Sequence, residues 1–203
     1  GLGDVYKRQP ENYGDTDWRK LVCRDWAPQS NYNVRVTGGS KINQYYISVG
    51  HIDKSGIYRT GTDWMKRTTF RMSDKVYFQP IGLHINAAID GYYQSDNHPY
   101  STMAGDAARV FMLINQARPT LPGVNKYGLP ANVNDNSVAA TSADNGYKRN
   151  NWAVVNGKAD LVWDCLWVQG LSVRYSGNYR FFNTFRKNWR KDGAVYNLSL
   201  IHI

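Results

Sequence analysis

The chain has 203 residues, of which 42% are hydrophobic and 20% are charged, so its composition predicts one large folded domain or two small ones and excludes a disordered tail. No apolar run approaches the roughly 18 residues that a membrane-spanning helix requires, which excludes a helical membrane protein and leaves a membrane β-barrel open. The 15 Tyr and 7 Trp outnumber the 6 Phe, a balance that suits surfaces, sugar platforms or lipid interfaces.

The formal net charge is +9, from 25 Lys and Arg against 16 Asp and Glu. Basic proteins often bind nucleic acid, but these cations are spread among strands and turns, so we expect no nucleic-acid partner. Cys23 and Cys165 lie far apart without CxxC spacing, and the histidines lack metal-ligand spacing. We therefore expect no metal site and no cofactor. Two unpaired thiols are expected, and a disulfide stays open as the alternative.

Both ends of the chain are unusual at the level of codons. Residues 4–9 are what GAT GTG TAT AAG AGA CAG encodes, and residues 198–203 are what CTG TCT CTT ATA CAC ATC encodes. The two strings are reverse complements over almost their whole length, and they resemble the transposon end used to build sequencing libraries. We therefore expect residues 1–9 and 198–203 to be adapter-derived, and we leave them out of arguments on fold and function. The authentic part, about 10–197, is then expected to be an internal piece of a longer protein.

Strict alternation of apolar and polar residues predicts strands with two different faces. The clearest runs are 81–93, 155–167 and 171–181, and they are longer than the roughly 5 or 6 residues usual for soluble strands. The predicted fold class is all-β, a partial antiparallel transmembrane β-barrel wall. Its six strands are expected in meander order near 31–38, 43–58, 62–77, 81–95, 151–168 and 170–188.

One face of this sheet is predicted to be apolar. The expected exposed band consists of Ile81, Leu83, Ile85, Ile89, Leu161, Trp163, Trp167, Leu171, Val173 and Tyr175. In a membrane the band would meet lipid, whereas in a soluble sandwich or sugar-binding barrel it would pack against a second sheet. Periodicity alone leaves both alternatives open.

The connections between strands also alternate in length. Tight turns are indicated at 38–43, 75–80 and 168–170, whereas 53–63 is a medium loop and 95–150 a long one. Short turns at one rim and long loops at the other are typical of bacterial outer-membrane barrels. Apolar residues at helical spacing predict one helix near 102–117 in the long loop, with Ser101 or Thr102 as its cap.

Several short motifs occur in a recognisable order. They are TDW at 16–18, VTGG at 36–39, YYISVG at 45–50, DKSGI at 53–57, MKR at 65–67 followed by FR at 70–71, ARPTLP at 117–122 and YG at 127–128. This series resembles the region of SusC/RagA-family TonB-dependent outer-membrane transporters where the plug hands over to the barrel. His51 departs from the family's usual aromatic, and YFQP at 77–80 replaces its usual KWLK turn.

The resemblance implies a domain division and a function. Residues 10–30 would be the end of the plug and the lead-in to the barrel, and 31–197 a portion of the barrel in the outer membrane. The whole protein would import oligosaccharides or peptides, powered by the TonB complex through parts missing from this chain, with a SusD-like surface lipoprotein as partner and outer-membrane lipid around it. The alternative is a soluble glycan-binding β domain.

Candidate site residues follow the polar side of the fourth strand into the long loop. Substrate binding is assigned to Asp90, Tyr92, Asp96, His98 and Tyr100, because rings beside carboxylates suit stacking on and hydrogen bonding to sugars. The alternative for these residues is a set of girdle aromatics and solvated loop charges. Arg174 and Arg180 are predicted to face the lumen, where charge tunes selectivity.

An enzyme is not expected, and no catalytic residue is assigned. Asp160 and Asp164 would lie about 13 Å apart along one strand face, too far for either glycosidase geometry. For a wall of only six strands we expect unpaired edge groups, inclusion bodies and no uptake from the chain on its own.

Overall fold

The computed structural model describes residues 14–100, 107–133, 136–191 and 195–196; the expected adapter segments and the caps Ser101 and Thr102 lie outside these residues. One six-stranded antiparallel sheet dominates, and each strand pairs with its neighbour in sequence. The strands are β1 (Gln29–Gly39), β2 (Asn43–Ser55), β3 (Trp64–Phe78), β4 (Leu83–Pro99), β5 (Gly146–Asp164) and β6 (Ser172–Arg190). The all-β class and the meander order are confirmed.

Two strands extend beyond their predicted ends. β4 continues to Pro99 and β5 begins at Gly146, where loop was expected between 95 and 150. The extra residues are polar and lack apolar alternation, but they pair across the two strands, as Asp96 does with Asn150. Hydrogen bonds between these polar side chains carry the ladder past the last apolar residue.

The sheet has an apolar face and a polar face. Directly paired residues share a face, and the register places Leu83, Trp163 and Val173 in one row and Ile85, Leu161 and Tyr175 in the next. Most of the expected band is exposed, up to 87% at Trp167, while Leu83, Ile85 and Leu161 are half-buried. No second sheet covers this face in the described part of the chain.

The apolar face continues across the first three strands. Its members there are Val34 and Val36 on β1, Ile47 and Val49 on β2, and Phe70 and Met72 on β3. A ring also covers the backbone of this face: a Cβ at Gly91 would clash with the carbonyl oxygen of Val154 and with the Phe70 ring. Glycine is therefore required at position 91, where the Phe70 ring and the neighbouring strand occupy the space of a side chain.

Three helices lie at the long-loop end of the sheet, namely α1 (Trp18–Val22), α2 (Ala107–Gln116) and α3 (Ser137–Thr141). The described part of the predicted helix is α2, whereas α1 and α3 are additional to the single helix expected. Their buried residues form what we call the rim cluster: Trp18, Val22, Cys23, Tyr58, Val110, Leu113, Ile114 and Ala140. The indole of Trp18 donates to the Arg118 carbonyl at 3.0 Å, which ties α1 to the end of the long-loop helix.

Cys23 and Cys165 are both free, and Cys23 is buried in the rim cluster. Among the described residues, no helix has the length and apolarity needed to cross a membrane.

Candidate functional site

Four of the five assigned substrate residues share the polar face because they alternate along β4. Asp90, Tyr92, Asp96 and His98 are separated by even steps, and strand side chains at even spacing point to one side. Asp96 and His98 lie at the long-loop end, whereas Asp90 and Tyr92 lie further towards the middle of the strand.

His98 joins two carboxylates at this end. Its Nδ1 lies 2.8 Å from Asp63 Oδ1, and its Nε2 lies 3.1 Å from Asp96 Oδ2. Asp63 belongs to the connection between β2 and β3, so the histidine ties that medium loop (residues 56–63) to β4. The side chain of Asp96 is only 5% exposed, and that of His98 is 37% exposed.

The electrostatics of this contact favour the charged imidazole. The apolar residues of β4 end at Tyr93, and Ser95 and Asn97 follow on the same face, so His98 lies beyond the apolar stretch. The hydrogen bond that His98 donates to the Asp63 carboxylate raises the pKa of His98 above 6.5. Burial opposes this shift, and the charges of Asp63 and Asp96 add to it. The two acids therefore stabilise the charged form of His98 relative to the neutral form.

Asp96 is the centre of a wider polar network. Its Oδ2 also accepts from Asn150 Nδ2 at 3.0 Å, and Asn150 Oδ1 accepts from Arg186 Nε at 3.0 Å. Gln94 Nε2 donates to Asp96 Oδ1 at 3.4 Å, and Gln94 Oε1 accepts from Arg67 Nε at 2.7 Å. The buried carboxylate is thus satisfied from β4 and β5, which fixes its position.

A concavity of about 480 Å³ opens directly over this network. It is lined by Met65, Gln94, Asp96, His98, Ala108, Lys148, Asn150 and Trp152. The lining combines one aromatic ring, two amides, two acid–base groups and one lysine, with Ala108 of α2 at its edge. Such a set can hydrogen-bond and stack on a polar ligand.

The other assigned residues lie outside this concavity. Asp90 Oδ2 accepts from Asn156 Nδ2 at 3.0 Å, and the Tyr92 ring lies under the Arg67 guanidinium at 4.8 Å. The ring of Tyr100 has Arg190 over it at 5.7 Å, beyond the end of β4. The five residues therefore form a track along the strand, and two of them line the cavity.

The polar face is rich in cations. Arg174 and Arg180 are exposed on it, and Arg180 shares a row with Asp90 and Asn156. Arg71 stands on the other side of Asp90 in the same row. In the row of Asp90, the charge is therefore negative on β4 and positive on both sides of it.

Sequence reasoning missed several members of the site. Asp63 and Arg67 come from other elements, and their contacts with β4 depend on the register of β3 against β4. Trp152 belongs to the neighbouring strand β5, so the pattern along β4 does not point to it. Among the described residues, no group of three or more His, Cys, Asp or Glu is arranged to hold a metal ion. The residues that line the cavity fit binding of a polar ligand.

Solved structures similar to this chain include two of the RagAB peptide importer. In the "closed-closed" state the TM-score is 0.63 at 17% identity, over 93% of this chain and 22% of the importer chain. In the "open-open" state the TM-score is 0.58 at 18% identity, over 89% of this chain and 21% of the importer chain. No protein-family model and no curated protein sequence matches. The chain spans about a fifth of the importer chain, and it has the fold of that part of the importer.

Proposed function

We propose that this chain is part of the wall of an outer-membrane TonB-dependent transporter of the SusC/RagA type. The whole protein would import oligosaccharides or peptides together with a SusD-like lipoprotein. The observation that carries the proposal is an apolar face that runs over all six strands and that nothing in the described chain covers. The fold shared with the RagAB peptide importer supports it.

The height of the apolar face fits a bilayer. On β4 it runs from Leu83 to Tyr93, which is about 33 Å of strand at about 3.3 Å per residue. A strand tilted by about 45° crosses about 23 Å over that length, close to the apolar band of about 25 Å in outer-membrane barrels. A soluble sheet would need a second layer of similar extent to bury this face.

The polar face then lines the substrate path. The cavity over Asp96 and His98 lies at the long-loop end, which is the outer end in barrels of this type. Its amide, carboxylate and indole groups suit either a peptide backbone or sugar hydroxyls, and the similarity to a peptide importer favours the peptide. Arg174 and Arg180 face the lumen in this arrangement.

Two adjacent residues of β6 test the membrane assignment. Asn178 and Tyr179 point to opposite faces, so each is replaced by Cys in the full-length gene that carries this segment, with Cys23 and Cys165 changed to Ala. A lipid-soluble maleimide is expected to label the Tyr179→Cys variant and a water-soluble one the Asn178→Cys variant. Equal labelling of both variants by the water-soluble reagent, or a soluble monomeric product, would favour the soluble glycan-binding domain instead.

Uptake tests the substrate. Cells carrying the full-length gene and the adjacent lipoprotein gene are given labelled oligopeptides or oligosaccharides. Asp96→Asn is expected to lower uptake of the true substrate at least tenfold, because it breaks the contact that positions His98. The matched control is Asp160→Asn, on the same face near the opposite end of β5. Equal uptake by the two variants would remove Asp96 from the site.

A further inference from the structure

A group of rings and cations lies on the apolar face just beyond the apolar residues, at the long-loop end. We call it the rim belt. Its members are Trp64, Lys66, Tyr147, Arg149, Lys187 and Trp189. The register places Trp64, Arg149 and Lys187 in one row, Tyr147 and Trp189 in the row beyond it, and Lys66 one row nearer the middle of the sheet.

The cations of the rim belt are held over ring faces. The Arg149 guanidinium lies between two rings, 5.5 Å from the Trp64 centroid and 5.2 Å from that of Tyr147. Lys187 Nζ lies 5.9 Å from the Tyr147 centroid, and Lys66 Nζ lies 5.9 Å from that of Trp64. Cation–π contacts of this kind restrain the long side chains while their charged ends stay accessible, and Arg149 and Lys187 are both exposed.

The rim belt carries positive charge that its own rows do not neutralise. Arg149 and Lys187 are direct partners across β5 and β6, and like charges directly opposite each other destabilise a sheet. In the described part of these rows the only carboxylate is Asp53, which pairs with Lys66 at 3.2 Å. The positive charge of Arg149 and Lys187 is therefore left for an anionic ligand to neutralise.

We propose that the rim belt binds the phosphate groups of lipid headgroups in the outer leaflet. This inference rests on the proposed function, which puts the apolar face against hydrocarbon and the long-loop end outside. Tyr and Trp sit at headgroup level in membrane proteins, and the cations stand among those rings at the same height. Arg and Lys form charge-assisted hydrogen bonds with phosphate oxygens, and anionic headgroups attract basic clusters beside the membrane.

The test uses the full-length transporter in neutral detergent with diphosphoryl lipid A as the probe. Native mass spectrometry counts bound lipid for wild type and for the double variant Arg149→Gln/Lys187→Gln. At a lipid concentration that fills the wild-type site, the variant is expected to carry one lipid A fewer, and about tenfold more lipid is expected to restore it. The charge-matched control Lys75→Gln/Lys158→Gln removes two cations of the polar face and is expected to bind as wild type does.

The outcomes separate this inference from the proposed function. Loss of one lipid in the double variant, with no displacement by millimolar inorganic phosphate, supports a lipid site. Equal binding by wild type and double variant, equal binding of dephosphorylated lipid, or displacement by inorganic phosphate overturns it. Those results leave the transporter assignment standing when the Arg149→Gln/Lys187→Gln variant inserts and takes up substrate normally. Failure of the full-length protein to give a heat-modifiable membrane species overturns both.

Discussion

Replacement of Asn136 is expected to open the long loop locally. This side chain is fully buried and makes four hydrogen bonds. Its Nδ2 donates to the Gly123 carbonyl at 2.9 Å and to the Ala131 carbonyl at 2.8 Å. Its Oδ1 accepts from the backbone N–H groups of Val138 at 2.9 Å and Ala139 at 3.3 Å, which caps α3. All the hydrogen-bonding capacity of the amide is therefore used.

The magnitude follows from these contacts. Loss of a helix N-cap costs about 1 kcal/mol. The Gly123 and Ala131 carbonyls keep the backbone N–H groups of Ala131 and Val133 as donors, so each lost hydrogen bond from the Asn136 amide costs about 1 kcal/mol. Asn136→Ala should therefore cost about 3 kcal/mol, which raises the population of the locally open state about a hundredfold. Asn136→Asp keeps the cap but turns an oxygen towards the two carbonyls, so it should lose a similar amount.

Hydrogen exchange in the full-length protein measures this effect. The amides of residues 137–145 should lose protection about a hundredfold in Asn136→Ala, while the strands stay protected. The control is Asn115→Ala, which removes one hydrogen bond to the Phe111 carbonyl on the exposed side of α2 and should change protection less than threefold. Protection in Asn136→Ala within threefold of wild type would refute the reasoning.

Three further predictions concern the rim and the sheet. Leu113→Ala leaves a cavity at a residue that is 3% exposed, so it should lower the free energy of unfolding by about 2–4 kcal/mol and speed proteolysis of the long loop. Met112→Ala, at a residue that is 40% exposed, should leave the proteolysis rate unchanged, and equal rates in the two variants would contradict the rim cluster. Gly91→Val should abolish the heat-modifiable species, because the space for a side chain at position 91 is already occupied. Gly157→Val should retain this species, because a Cβ at position 157 meets nothing within 4 Å. Loss of the species in Gly157→Val but not in Gly91→Val would rule out the register. Because the pKa of His98 is raised, its contact with the medium loop is fully present below pH 6.5 and weakens as pH rises through the raised value. Protease protection of residues 56–63 should therefore fall over that pH range in wild type and stay constant in His98→Gln. An NMR titration midpoint for His98 at or below 6.5 would contradict this prediction.

The strands were predictable because a sheet with one apolar face has an apolar residue at every second position of each strand. Runs such as 81–93 show this alternation over their whole length, and the six strands overlap their predicted ranges. β5 ends at Asp164, before the predicted 168, because residues 165–168 belong to the turn into β6. The extensions of β4 and β5 show no such alternation. There the ladder depends on pairs such as Asp96 with Asn150, which belong to segments 54 residues apart, and a polar residue in such a pair reads as loop in a single sequence.

The candidate site was predictable only as far as it follows one strand. Asp96 and His98 could be chosen because they continue the polar side of β4, but their partner Asp63 comes from a connection 35 residues away from His98. The helix α3 was missed for a related reason. It has only five residues, which is too short for a periodic pattern of apolar residues. It also depends on the buried Asn136, whose other contacts lie in the preceding turn.

The rim cluster joins three stretches of chain that are far apart in sequence. Trp18 comes from the stretch before the first strand, Tyr58 from the medium loop, and Leu113 from the long loop. The stretch before the first strand and the medium loop bury their apolar side chains against Val110, Leu113 and Ile114 of the long loop. Loss of the α2 contacts should consequently release all three stretches together, in contrast to the local opening of residues 137–145 expected for Asn136→Ala. Entry of a ligand beside α2 would then require one cooperative opening, and a single free energy of opening would apply to three stretches that are far apart in sequence.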